Sequence, residues 1–95
     1  QTDVNTVGGR TRGAMPTTIA ELESKYEHVV RNLVPKGKYT ESLHEFSAIT
    51  QSQLSHRYII GNSHYWAGIC YMKLGRSQKA LAEFQKVTVT NSSTY

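Results

Sequence analysis

Apolar residues along this chain recur in steps of three and four rather than two. Ile19, Leu22, Tyr26, Val29, Val30 and Leu33 form the first such series. At 3.6 residues per turn that spacing gathers them on one side of a helix. Thr18 and Glu21 open the series with the spacing of a capping box. There a hydroxyl and a carboxylate each take up a backbone N–H. Pro35-Lys36-Gly37 closes it, because proline and glycine break a helix. Tyr39, Leu43, Phe46 and Ile49 mark the buried side of a second helix beginning near Lys38 or Thr40. The polar stretch Gln51 to Gln53 gives that helix no sharp end. Leu54, Tyr58, Ile59 and Ile60 follow, and Gly61-Asn62-Ser63 reads as a stop followed by a new N-cap. A third helix is predicted over about Ser63 to Leu74, ended by Gly75. A fourth starts near Ser77 and carries Ala80, Leu81, Phe84 and Val87. Thr88 to Tyr95 is β-branched and polar, and is expected to fray or leave the helix.

No alternation of period two marks a strand. The predicted fold class is therefore all-α, with two antiparallel helix pairs joined inside each pair by short glycine turns. Gln1 to Met15 is rich in Thr, Gly and Arg and has too few apolar residues to bury a face. The expected organisation is a leader or linker over residues 1–16, a helical domain over 17–90, and a tail or the start of a further element over 91–95.

The two pairs overlay without a gap at an offset of 38 residues. Leu33 falls on Tyr71, Gly37 on Gly75, Leu43 on Leu81, Glu45 on Glu83, Phe46 on Phe84 and Ile49 on Val87. Helix–turn–helix self-similarity at such a period marks an α-solenoid. Gly68 and Ala80 are small and permit close approach of the two helices, with Tyr71 and Phe84 filling the space around them. Ala67, Gly68, Cys70, Tyr71 and Leu74 are read as the core seam of the second pair.

With Ala67-Gly68, Tyr71, Gly75, Ala80 and Phe84 in register, the second unit resembles a tetratricopeptide repeat (TPR). His64, Ala67 and Ser92 depart from the Trp, Leu and Pro of that pattern, and the first unit matches it less well. The resemblance covers about residues 24–92 and implies a TPR-like α-solenoid. It further implies a concave groove that holds an extended peptide or a partner helix. The groove positions carried over are Glu27, His28 and Arg31 in the first unit, and Asn62, Tyr65, Trp66, Ile69 and Lys73 in the second. Trp66 has a second reading, as a ring packed beneath a neighbouring helix or the leader. TPR proteins that clamp a C-terminal carboxylate use Lys, Asn and Arg in the groove. Glu27, Arg31, Tyr65, Trp66 and Ile69 do not supply that set, so an acidic C-terminal tail is not indicated as the partner. The spelling Tyr65-Trp66-Ala67-Gly68, after Gly-Asn-Ser and before a Leu-Gly turn, is similar to a bacterial subgroup. That subgroup contains the TPR domains of the periplasmic Tol–Pal coordinator and of outer-membrane assembly lipoproteins. It implies a role in envelope organisation and a periplasmic or cell-envelope location.

Charge and chemistry alter this picture little. The net charge is +4, but Lys and Glu are intermixed along the predicted helices, which reads as solvated faces rather than a nucleic-acid interface. No apolar run approaches the length of a membrane span, and Gln1 to Pro16 lacks the apolar centre of a signal peptide. Cys70 is the lone cysteine and is read as a small core hydrophobe. His28, His44, His56 and His64 stand at spacings that place no two as ligands on one helix face, so no metal and no cofactor is expected. No nucleophile elbow, HExxH or phosphate loop is present, and the chain is expected not to be an enzyme. The expected partner is a protein or peptide. The alternative is self-assembly as a homo-oligomer or as part of a longer repeat array, since two repeats bury little.

Overall fold

A capped start, an apolar side and a glycine stop occur twice in the computed structural model, which describes residues 15–54 and 56–92. The leader expected over residues 1–16 falls almost wholly outside the described residues. Among the described residues the protein is all-helical. It has α1 (Ile19–His28), a π-helical turn (Val29–Leu33), α2 (Tyr39–Gln51), α3 (Arg57–Lys73) and α4 (Ser77–Ser92). α3 is central: it packs against α2 on one side and α4 on the other, while α1 packs on α2 and touches α3. The extents of 39 × 32 × 18 Å make a slab about two helix diameters thick.

The start of α1 follows from its sequence. Thr18 is extended, and its Oγ1 accepts the Glu21 N–H at 3.1 Å. Glu21 Oε1 accepts the N–H and the hydroxyl of Thr17, both at 2.8 Å. These bonds hold the Glu21 carboxyl below the usual carboxylate range, the Thr17 N–H foremost. At the same place in the second unit His56 takes the role of Thr18. Its Nδ1 accepts the Ile59 N–H at 3.3 Å.

The two stops share three backbone bonds. In the first, the N–H groups of Lys36, Gly37 and Lys38 reach the carbonyls of Leu33, Val34 and Leu33. In the second, Leu74, Gly75 and Arg76 donate to Tyr71, Met72 and Tyr71. Gly37 has φ +77° and Gly75 +76°, the left-handed conformation that glycine adopts without Cβ strain. Three bonds of the first stop thus have counterparts 38 positions on, while the Leu74 N–H also reaches the Cys70 carbonyl at 3.0 Å, a bond the first stop lacks.

The core is formed by Leu22, Val29, Leu33, Phe46, Ile49, Ile59, Ala67 and Cys70. Gly68 lies directly under the Phe84 ring, and a Cβ there would come within 2.4 Å of it. The close approach expected between α3 and α4 is therefore present. Ala67, Gly68 and Cys70 are buried as the seam requires.

Four expectations are corrected. α3 does not begin at Ser63; it starts at Arg57 and runs unbroken through Gly61-Asn62-Ser63. Gly61 and Ser63 are buried, and packing outweighs the roughly 1 kcal/mol that a mid-helix glycine costs. α4 does not end near Val87 but continues to Ser92. Leu74 is exposed and Tyr71 only half-buried, both lying at the end of α3. Leu81, assigned to the buried side of α4, is 57% exposed. The π-helical turn had no signature in the apolar spacing; the Val34 N–H reaches the Val29 carbonyl at 3.0 Å.

Candidate functional site

The side chains of α3 divide into two sets by helical geometry. Ile59, Ser63, Ala67 and Cys70 are buried. Tyr58, Asn62, Tyr65 and Ile69 stand at steps of four, three and four, a single stripe on the outer side. Tyr58 is 71% and Tyr65 47% exposed, and Asn62 and Ile69 are half-buried. The stripe 38 residues earlier on α1 is Ala20, Ser24, Glu27 and Arg31, all exposed. Each stripe is thus outward-facing, polar on α1 and aromatic on α3.

Between the start of α3 and the middle of α1 lies an open cleft of about 460 Å³. Glu23, Tyr26, Glu27, His56, Tyr58 and Ile59 are among its lining residues. His56 Nε2 stands 3.6 Å from a Glu23 carboxylate oxygen, joining the two helices across it. Glu27 Oε1 pairs with Nε of Arg31, in the π-helical turn, at 3.0 Å. The cleft offers rings and carboxylates on walls fixed by helix packing.

The predicted groove residues divide accordingly. Glu27 is in the cleft, paired with Arg31. Tyr65, Asn62 and Ile69 share the α3 stripe. His28 sits beside Asn32, Nδ1 to Nδ2 at 3.2 Å. Lys73 is exposed at the last turn of α3. Trp66 is half-buried and packs against the core cluster, with the Tyr65 ring edge-on at 5.9 Å. The Tyr65 ring also meets Phe84, tilted at 47° with centroids 5.9 Å apart, which ties the stripe to α4. Glu23, His56 and Tyr58 were not among the predicted groove residues. Reading α3 as beginning at Ser63 hid Tyr58, which sits one turn before Asn62 once the helix is continuous.

Two further polar contacts between helices support these positions. Lys25 of α1 binds Glu45 of α2 with both side chains mostly shielded. His64 of α3 meets Glu83 of α4 at 2.8 Å, and Lys86 reaches the other Glu83 oxygen at 3.2 Å. Glu45 and Glu83 are equivalent at the offset of 38. Cys70 is fully buried, and burial pushes its thiol up to about 11, so little thiolate forms at neutral pH. Among the described residues no group of three His, Cys, Asp or Glu could hold a metal ion. Among them also, no helix is long and apolar enough to cross a membrane. Compared with protein-family models, curated proteins and solved structures, the chain matches none.

Proposed function

We propose that this protein is a non-enzymatic interaction module of TPR-like design, which holds an extended peptide or a partner helix along the outer stripes of α1 and α3. The observation that carries the reading is the alignment of Tyr58, Asn62, Tyr65 and Ile69 on one side of α3 beside the α1–α3 cleft. Exposed tyrosines give large contact area at low entropic cost, and they are frequent energetic anchors of interfaces. The recurrence of three stop bonds and a positive-φ glycine at the offset of 38 supports a solenoid, in which successive first helices line one surface. A role in bacterial envelope organisation rests on the resemblance of residues 61–75 alone.

The test separates Tyr65 from Trp66. A random peptide library is selected on the purified protein, and the recovered peptides are titrated against Tyr65→Ala and Trp66→Ala. Tyr65→Ala is expected to weaken binding by about 2 kcal/mol while the melting temperature stays within a few degrees. Trp66→Ala is expected to lower both, since its ring packs on the core. Full binding by the Tyr65→Ala variant would remove the α3 stripe from the site.

A further inference from the structure

Three glutamates serve the fold. Glu21 holds the start of α1 through Thr17. Glu45 is bound by Lys25, and Glu83 by His64 and Lys86. Glu23 and Glu27 have no such role. The Glu23 carboxylate lies 3.6 Å from His56 Nε2, beyond hydrogen-bond length. Glu27 pairs with Arg31, but their side chains are 59% and 74% exposed. A pair so open to water is readily exchanged for another cation. Glu23 and Glu27 also stand one turn apart on α1, and like charges at that spacing disfavour a helix. At the offset of 38 they fall on Gly61 and Tyr65, so the repeat does not require them.

Both carboxylates line the cleft between α1 and α3, where Tyr26 and Tyr58 contribute rings. His56 Nδ1 accepts the Ile59 N–H, so the neutral ring carries its proton on Nε2, toward Glu23, and adds no positive charge. Lys25, between the two acids in sequence, is bound to Glu45 of α2. A chain of net charge +4 thus concentrates two carboxylates beside two phenol rings. An acidic side chain would be repelled there, and an aliphatic one would cover the carboxylates without satisfying them. A guanidinium meets both kinds of wall. Its planar fork of donors matches carboxylate oxygens, and its flat face stacks on an aromatic ring. The opening of about 460 Å³ admits so long a side chain.

We infer that the α1–α3 cleft is an arginine pocket, in which Glu23 and Glu27 bind the guanidinium of an arginine in the partner polypeptide and the tyrosine rings take its flat face. The inference rests on the peptide-binding reading above and names the side chain that the bound segment inserts beside the α3 stripe. Glu27 exchanges Arg31 for the incoming guanidinium. Lysine brings a point charge without the plane, and is held less tightly.

The probe is the tripeptide acetyl-Ala-Arg-Ala-amide, titrated into the isotope-labelled whole protein and followed by amide chemical shifts. Tripeptides with lysine or citrulline in place of arginine are run beside it; citrulline keeps the shape and loses the charge. Saturable shifts are expected at Ala20, Glu23, Glu27 and Ile59. Citrulline should bind at least about tenfold more weakly than arginine, and lysine about threefold. Glu23→Gln and Glu27→Gln should each weaken the arginine probe at least about fivefold, with native far-UV circular dichroism. Glu21→Gln removes the same charge outside the cleft and should change binding less than about twofold at physiological salt. Tyr65→Ala should leave the tripeptide unaffected, since Tyr65 does not line the cleft. Library peptides that need Tyr65 but ignore both glutamine variants would overturn the pocket and leave the interaction module standing. A tripeptide held by Glu23 and Glu27, with no library peptide needing Tyr65, would keep the pocket and remove the stripe. Absence of saturable shifts, equal binding of arginine and citrulline, or indifference to both glutamine variants would overturn the proposal. So would a roughly tenfold gain in affinity on replacing Arg10 and Arg12 by serine, since the chain's own arginines would then be the occupants.

Discussion

The first and second helical units share a backbone plan but not a degree of burial, and the contrast separates local causes from tertiary ones. Their caps, stops and positive-φ glycines coincide because these depend on a few neighbouring residues: Thr18 or His56 at the start, Gly37 or Gly75 at the end. Their cores diverge because α3 serves both units whereas α4 serves only one. Phe46 and Phe84 occupy the same place in the repeat, and only Phe46 is enclosed. Both units carry an interhelical pair at the equivalent acid, Lys25–Glu45 and His64–Glu83, while the close contact at Gly68 is particular to the second.

The sharpest way to break this comparison is to truncate the two phenylalanines. Phe46→Ala is expected to cost about 3–5 kcal/mol, the usual loss for a buried ring. Phe84→Ala should cost roughly half as much, because part of its ring already faces water. Urea denaturation of both variants checks this, and equal losses would mean that α4 is as well covered as α2.

A smaller effect is expected at the contact peculiar to the second unit. Gly68→Ala places a methyl group against the Phe84 ring and forces α4 outward or the ring aside. The net loss should be about 1–2 kcal/mol, since alanine returns some helix propensity. The matching first-unit substitution, Val30→Ala, removes a half-buried side chain without creating a clash. Gly68→Ala should also alter the fluorescence of Trp66, whose Tyr65 neighbour rests on the same Phe84 ring. An unchanged melting curve for Gly68→Ala would show that the helices are not held at this distance.

The smallest effect tests equality rather than difference. Gly37→Ala and Gly75→Ala should each cost about 1 kcal/mol, because both residues have positive φ and both are exposed. Thermal melts that differ by more than a few tenths of a kcal/mol between the two variants would break the equivalence of the stops.

Much of the helical plan was legible because its signals are short-range. Thr18 and Glu21 cap, Pro35 and Gly37 stop, and a period near 3.6 assigns faces, all within one or two turns. Gly61 misled for the same reason. Glycine and serine in succession imitate a stop, and only burial against the rest of the molecule keeps α3 helical there. That error removed Tyr58 from the candidate site, although it lies in phase with Asn62, Tyr65 and Ile69. Glu23 and His56 could be joined only by folding, being 33 residues apart in sequence and 3.6 Å apart in space.

By itself the sequence determined an all-helical chain, its two glycine stops, the offset of 38 between units, and the small residues at the α3–α4 contact. These follow from dihedral preference, capping chemistry and side-chain size, which act over a few residues. Tertiary structure decided which apolar residues are inside. Leu43 and Leu81 are the same residue type in the same repeat position, yet one packs on the core and the other faces water. Burial is a property of what lies on the far side of a helix. α3 lies beyond α2, and among the described residues no comparable helix lies beyond α4.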